Sequence, residues 1–351
     1  MLHNIGMERF LSTLSIAAAV FFAAVTPVLA QSLGNQPDPI QFLVAPEVPA
    51  PGDTVLIEVQ GVGNFLGEAT ITWQVDGKTI ASGLGERTFS FTAGGLGSKT
   101  SVKAIIDSPT KGVITKNFTF LPSVVNMVWE ADTSVPPWFK GKALYSAGSS
   151  LTITAFPQVI LNGKTVTSNN LSFQWKRNET PLTQSSGKGR NQITFKGNQL
   201  LPTEEVSVEV YAGSAILARG AVTVPAYKPQ VVLYERDPLR GVLYDQTFSG
   251  SVSLSETEIT VQAAPYYFAN SSIINGTAPY VWTLNGDKAE GPQTASGILT
   301  LRQSGSGAGR AQLEVSVQNN DSDKYVQSAK TAIQILFGGA SNSPFSNFFG
   351  L

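Results

Sequence analysis

The 351-residue chain contains no cysteine, and its single histidine is His3. The absence of cysteine excludes disulfides, thiolate-bound metals, iron–sulfur clusters and thiol nucleophiles. Because His3 lies in the apolar leader described below, the rest of the chain has no imidazole for a Ser-His-Asp or Cys-His mechanism or for binding a metal. We therefore predict no cofactor, no metal site and no catalytic residue of these kinds.

Charge is also scarce. Charged residues make up 14% of the chain, whereas a soluble domain typically contains about 25%. The 24 lysines and arginines nearly balance the 25 aspartates and glutamates. No broad basic field is then available to attract nucleic acid or an anionic membrane, and we predict that nucleic acid is not a partner.

The first 30 residues have the pattern of an export signal. Arg9 precedes an uncharged apolar run at 10–25, and small or β-branched side chains occupy the −3 and −1 positions of a cleavage site after Ala30. Residues 1–30 are therefore predicted to be a signal peptide, or alternatively an uncleaved N-terminal anchor of roughly the 20 residues needed to span a membrane. Either way the chain is exported to the cell envelope or beyond, and export without cysteine favours a bacterial host.

Beyond the leader, apolar and polar residues alternate with a period of two. This alternation is typical of β-strands with one buried face, and it is clear at 54–59, 151–156 and 311–317. Asp-Gly and Asn-Gly pairs, which favour hairpin turns, interrupt the runs at 76–77, 162–163 and 285–286. No segment after the leader has a convincing helical period, so the sequence predicts an all-β protein.

The strand pattern repeats three times along the chain. Trp73, Trp175 and Trp282 each lie within a strand pattern, roughly 100 residues apart. Each is followed by a second strand, a loop and a strongly alternating strand, the order in which a core Trp on strand C precedes strands E and F of an immunoglobulin sandwich. The sequence predicts three tandem immunoglobulin-like β-sandwich domains at 36–122, 123–226 and 227–338, followed by a flexible tail at 339–351.

The tryptophan segments share the short motif Trp-x-x-Asp/Asn-Gly/Glu, at 73–77, 175–179 and 282–286. In this motif all three repeats resemble the bacterial Ig-like and PKD-like β-sandwich repeats of secreted surface proteins. They lack the cysteine pair of antibody domains and the fuller Gly-Asp-Gly turn of PKD domains. The resemblance implies a structural spacer, an adhesive module or an appendage of an enzyme.

The second and third repeats also share an opening, since residues 128–132 match residues 233–237. The match indicates duplicated modules, with short linkers near 121–123 and 225–227 that favour a semi-rigid rod. Glu130, Asp132, Glu235 and Asp237 lie near these junctions. Calcium takes six to eight oxygen ligands, and two carboxylates at each junction supply too few.

Seven aromatic residues are candidates for binding a partner. Two prolines stiffen a loop that carries Trp138 and Phe139, and Tyr266 and Tyr267 likewise follow a proline. Adjacent residues of an extended segment cannot both face one core, so these pairs either bind a partner or glycan or pack against the neighbouring module.

The other three candidates lie in the tail. Phe345, Phe348 and Phe349 follow a Gly/Ser/Asn spacer. This segment is too short to form its own core, so its rings either fold back, dock into another protein or rest in a membrane interface.

These features predict a non-enzymatic, exported surface or cell-envelope protein that spaces and binds through its loops or its tail. The alternatives are a carbohydrate-binding or adhesin module, and an accessory part of a carbohydrate-active enzyme. A glycosidase with two carboxylates needs neither His nor Cys, but small repeated sandwiches offer no obvious deep cleft. The expected partner is another envelope or surface protein, or a glycan, with membrane contact only through the leader or the tail.

Overall fold

The structure is a computed structural model that describes residues 40–61, 64–197, 201–254, 258–319 and 326–338. The predicted leader at 1–30 and the tail at 339–351, including Phe345, Phe348 and Phe349, lie outside the described residues. Within the described ranges, no helix is both long enough and apolar enough to cross a membrane.

Antiparallel strands dominate the described part of the chain, which confirms the predicted all-β fold of tandem immunoglobulin-like sandwiches. Helical segments in the described ranges are short: one five-residue α-helix, α1 (Asn270–Ile274), and 3₁₀ turns at Ser168–Asn170, Thr183–Ser185 and Thr294–Ser296. The buried apolar side chains form three separate clusters that follow one another along the chain.

The first sandwich consists of two antiparallel sheets. Its strands are β1 (Ile40–Ala45), β2 (Thr54–Gly61), β3 (Thr70–Val75), β4 (Lys78–Leu84), β5 (Thr88–Thr92), β6 (Thr100–Ser108) and β7 (Gly112–Phe120). One sheet has the order β1-β2-β5 and the other β4-β3-β6-β7. Alternate side chains of β2, β3 and β6 are fully buried between the sheets, as the period-two pattern predicts.

The second sandwich repeats this strand order. Its strands are β8 (Val124–Ala131), β9 (Ser150–Gln158), β10 (Ile160–Leu161), β11 (Lys164–Thr165), β12 (Ser172–Arg177), β13 (Thr180–Pro181), β14 (Gly187–Lys188), β15 (Gln192–Lys196), β16 (Thr203–Ala212) and β17 (Ala215–Pro225). The sheets are β15-β9-β8 and β13-β12-β16-β17, with β14 also paired to β12 and a small hairpin of β10 and β11.

The third sandwich has a further edge strand on each sheet. Its elements are β18 (Gln230–Asp237), β19 (Gly241–Phe248), β20 (Ser251–Ser253), β21 (Glu258–Tyr266), α1 (Asn270–Ile274), β22 (Tyr280–Leu284), β23 (Asp287–Lys288), β24 (Ile298–Arg302), β25 (Gly309–Gln318) and β26 (Ser328–Phe337). The sheets are β19-β18-β21-β24 and β20-β26-β25-β22-β23. Strand β20 runs parallel to β26, whereas the other pairs are antiparallel.

One tryptophan occupies the same place in each core, on β3, β12 and β22. Trp73, Trp175 and Trp282 are at most 1% exposed, which confirms their predicted role in packing. A buried indole N–H needs an acceptor, and each one donates to a backbone carbonyl shortly before the last strand of the opposite sheet. The bonds join Trp73 to Glu86 (3.0 Å), Trp175 to Arg190 (2.8 Å) and Trp282 to Thr294 (3.4 Å).

Candidate functional site

An exposed aromatic loop lies between β8 and β9 of the second sandwich. Residues 135–143, named here the aromatic loop, carry Trp138, which is 58% exposed, and Phe139, which is 38% exposed. The Phe139 N–H donates to the Pro136 carbonyl at 2.9 Å and closes a turn. The Phe139 ring lies over Gly141, where an added Cβ would come within 2.5 Å of a ring carbon. Both aromatic side chains are therefore on the surface, as one of the two sequence alternatives requires.

The stems of the aromatic loop are fixed on both sides. The Thr133 hydroxyl, which is buried, donates to the Leu144 carbonyl at 2.7 Å. Ser134 exchanges backbone hydrogen bonds with the third sandwich, donating to Phe268 at 2.8 Å and accepting from Tyr267 at 2.9 Å. The loop is thus held by contacts to the third sandwich as well as by its own.

The ammonium group of Lys142 lies against an aromatic ring at the base of the same loop. The Lys142 Nζ is 3.4 Å from the centroid of the Trp129 ring on β8, a cation–π contact. Partial burial lowers the pKa of Lys142 from its ordinary value. This contact fixes the returning arm of the loop and leaves Trp138 and Phe139 free of it.

Gln327 connects the second and third sandwiches beneath the loop. Its side chain is 2% exposed. Its Oε1 accepts the Ala269 N–H at 2.8 Å, and its Nε2 donates to the Ser146 hydroxyl and, at 3.3 Å, to the Tyr267 carbonyl. Since Ser146 belongs to the second sandwich and Ala269 to the third, one buried amide joins the two.

An aromatic pair spans the same junction. The ring centroids of Tyr227 and Tyr267 are 6.0 Å apart, and the Tyr227 N–H donates to the Tyr145 carbonyl at 2.8 Å. Tyr227 is 41% exposed. The sequence assigned it to a linker only, although an aromatic residue in so short a linker is itself a signal of a packed junction. Tyr267 is half-buried in this pair.

Tyr266, which the sequence analysis named as a candidate for binding a partner, lies in the interior. It is 7% exposed, and its hydroxyl donates to the Tyr234 hydroxyl at 3.1 Å. Burial, followed by this hydrogen bond, raises the pKa of Tyr266 far above its ordinary range. Tyr267, the next residue, has a positive φ of 64°, which turns the chain so that neighbouring rings take different environments. Tyr266 is therefore an interior residue and is not available to a partner.

The carboxylates near the junctions have structural partners. Asp132 accepts a hydrogen bond from the Asn270 amide at 2.8 Å. Asp237 accepts from the backbone N–H groups of Arg240 and Leu239 at 2.7 and 2.8 Å, and these bonds, followed by the Arg240 side chain, lower its pKa. Among the described residues, no group of three or more His, Cys, Asp or Glu side chains is arranged to hold a metal ion.

A buried acid in the second sandwich also has its partners. Glu204 is fully buried. Arg177 donates to its carboxylate from Nε at 2.8 Å and from Nη2 at 2.7 Å, and Asn178 and the Tyr145 hydroxyl donate at 3.1 and 3.2 Å. This arrangement stabilises an ionised carboxylate inside the fold and does not expose it to a substrate.

Comparison with known proteins gives structural likeness only. No protein-family model and no curated protein matches the chain. Three domains of the bacteriophage RB49 outer capsid protein Hoc are 15% identical and cover 86% of this chain and 98% of that one, with a TM-score of 0.25. Fibronectin(III)-like modules of Clostridium thermocellum CbhA are 13% identical and cover 53% and 94%, with a TM-score of 0.26. A fibronectin-III array of RIM-binding protein is 14% identical and covers 84% and 98%, with a TM-score of 0.29.

With TM-scores below 0.3, these likenesses carry no argument about the fold, which rests on the strand pairing and the three cores described above. At such low identity they carry nothing about ligand or activity, so the functional argument depends on the surface of this chain.

Proposed function

We propose that this chain is a non-enzymatic, exported surface or cell-envelope protein that binds a surface partner through the aromatic loop. The observation that carries the proposal is the exposure of Trp138 and Phe139 on a loop whose stems are held by the second and third sandwiches. Exposed aromatic residues on a preorganised support are typical anchors of protein interfaces.

The exposure of Trp138 is not required by the fold. The loop backbone is fixed by Thr133, Ser134 and Leu144, and Lys142 packs on Trp129. None of these contacts uses the Trp138 ring. The side chain therefore exposes apolar surface that these contacts do not need, which is the pattern expected of a contact residue.

The predicted leader at 1–30 supports the same role, because a signal peptide would carry the sandwiches out of the cytoplasm. A chain of small sandwiches joined by short linkers suits the spacing and presentation of a loop.

The test compares the binding of purified protein to surfaces of the source cell. Trp138→Ala is expected to weaken binding at least tenfold, since an anchor contributes about 2 kcal/mol or more. Leu239→Ala is the matched control, because Leu239 is 97% exposed in a turn of the third sandwich. Equal loss in both variants, or in neither, contradicts the proposal.

A glycan partner is the second candidate. The exposed run from Pro137 to Lys142 presents the Lys140 ammonium group two residues from Trp138, and a loop with apolar and charged groups suits a ligand with both apolar and polar faces. A glycan array distinguishes the two, since only a glycan-binding loop gives signals that Trp138→Ala abolishes. Hydrolase turnover that disappears on replacement of a single carboxylate would instead support the enzyme-accessory alternative and overturn the proposal.

A further inference from the structure

An apolar cavity of about 250 Å³ opens at one end of the third sandwich. It lies between the two sheets, and its apolar lining consists of Leu254, Leu284, Leu301, Ala311, Ile335 and Phe337. Polar side chains, including Gln303 and Ser304, form its rim. Apolar walls with a polar rim are typical of a site that holds an apolar group.

The cavity lies at the end of the third sandwich that is remote from the second one. Strand β26 begins directly after Gln327, which belongs to the junction, and ends at Phe337, which lines the cavity. Ten residues of extended strand span roughly 30 Å. Neither the aromatic loop nor any other contact of the junction reaches this end, so the cavity is independent of the function proposed above.

The chain leaves β26 at the rim of this cavity. Gly338 has a φ of +66°, and an added Cβ would lie 2.4 Å from the Gly307 carbonyl oxygen. The Gln303 side chain holds the same loop, donating to the carbonyls of Gly305 and Gly307 at 3.0 Å each. The backbone at Gly338 therefore packs closely against the loop at Gly307, and Gln303 at the cavity rim holds that loop by its two hydrogen bonds.

The sequence after Gly338 supplies a suitable occupant. A spacer at 339–344 precedes Phe345, Phe348 and Phe349. Seven residues, at the root-mean-square span of a Gly-rich coil, reach about 13–16 Å, enough to return from Gly338 to the adjacent opening. A cavity of ~150 Å³ lined by Leu, Ile and Phe binds benzene, so the larger cavity here has room for one phenyl ring.

We propose that a phenylalanine of the segment 339–351 occupies this cavity. The occupant belongs to the same molecule because a short tether gives an effective concentration in the millimolar range. A second copy at micromolar concentration competes poorly with such a tether.

Disulfide trapping tests the proposal cleanly, because the chain has no cysteine of its own. Ser304→Cys at the rim and Asn347→Cys in the segment introduce one thiol pair. Mild oxidation is expected to give a monomer with an internal disulfide. A disulfide-linked dimer whose yield rises with protein concentration would show a second copy in the cavity and overturn the proposal.

The two cysteines are close along the chain, so some internal disulfide forms even without docking. The rate is therefore compared with that of a variant that lacks the three phenylalanine rings. In the triple variant Phe345→Ser, Phe348→Ser and Phe349→Ser, the spacer and the thiols are unchanged but the rings are absent. Internal disulfide formation is expected to slow at least tenfold. Equal rates in the two backgrounds would mean that the segment does not dock.

Replacing a small residue of the cavity wall by a larger one, so that it fills the cavity, gives a second test. Ala311→Phe, on β25, places a ring inside the cavity and is expected to slow the same disulfide about as much as removal of the three phenylalanines. Circular dichroism checks that this variant folds. If it does not fold, the serine background still decides the question, because its substitutions lie outside the sandwich.

Discussion

Replacement of Trp175 by alanine tests whether each sandwich has its own core. Trp175 is 1% exposed and lies among the buried side chains of the second cluster. Trp→Ala in a core typically costs about 3–5 kcal/mol, because the apolar contacts are lost and a cavity remains. The variant also removes the indole N–H from the Arg190 carbonyl, a bond of 2.8 Å. The expected loss is a large part of the roughly 5–15 kcal/mol that stabilises a domain.

The assay is hydrogen exchange with mass spectrometry during urea unfolding, which reports each sandwich separately. Protection is expected to fall in β9, β12 and β16, while the first sandwich keeps its protection. Trp73→Ala is the reciprocal variant and should affect β2, β3 and β6 instead. Trp138→Ala, an exposed control, should change stability by no more than about 0.5 kcal/mol. Equal loss of protection in all three sandwiches after Trp175→Ala would refute the reasoning, since it would mean that the three cores unfold as one.

Three further predictions concern the junctions and a turn. Gln327→Leu leaves buried polar groups without a partner and should cost about 1–3 kcal/mol, measured by urea unfolding; unchanged stability would show that the amide does not hold the junction. Gly97→Ala should loosen the contact between the first two sandwiches, because its Cβ would lie 2.6 Å from Ile160 of β10. Gly52→Ala is the control, since Gly52 also has a positive φ, +84° against +75° at Gly97, but has nothing within 4 Å of an added Cβ. X-ray scattering of the two variants separates the contact from the backbone strain, and identical profiles would contradict the contact. The pKa of Asp237 is lowered by its turn, so its stabilisation is present above the unfolded pKa of roughly 3.9 and lost as pH falls through the lower folded value. Arg240→Ala should raise that pKa only in part on an NMR titration, because the backbone donors remain; a full return to the ordinary value would place the cause in the side chain.

Much of the fold follows from short-range pattern. Alternation of apolar and polar residues has a period that matches the pleat of a strand, and a large ring such as Trp175 within such a run has to face the interior. The recurrence of this ring in three similar contexts is what made three sandwiches predictable. Both signals, the alternation and the buried ring, depend on residues that are neighbours in the sequence, so they can be read from the sequence alone.

The candidate site depended on contacts that no local pattern encodes. Tyr266 looked like a surface residue beside Tyr267, yet it is buried against Tyr234 on the neighbouring strand β18. The hydrogen bonds of Gln327 join residues about 60 and 180 positions away along the chain. Pairings at that distance are set by how the sandwiches meet, so the sequence could indicate aromatic loops but not their support.

The shared opening of the second and third repeats shows how small differences redirect the chain. Residues 128–132 and 233–237 match, and both lie in or beside the first strand of their sandwich, β8 or β18. In the third sandwich the chain turns back after Asp237 and forms β19. In the second, the chain passes instead into the aromatic loop, whose stem residue Ser134 pairs with the third sandwich and whose two ends are joined by the bond from Thr133 to Leu144. The second repeat therefore has a loop held by its neighbour where the third has a strand.

That difference bears directly on where a partner would bind. The outer faces of the sheets carry polar cross-strand pairs, as in Thr72 with Ser82 and Thr152 with Thr194, at 2.7 and 2.9 Å. Single apolar side chains, such as Val128 and Phe156, are also exposed on these faces. The aromatic loop offers Trp138 and Phe139, and its stems are ordered before any partner arrives because the junction holds them. Ordering a loop on binding opposes association, so contacts that fix the loop during folding favour binding without touching the ligand.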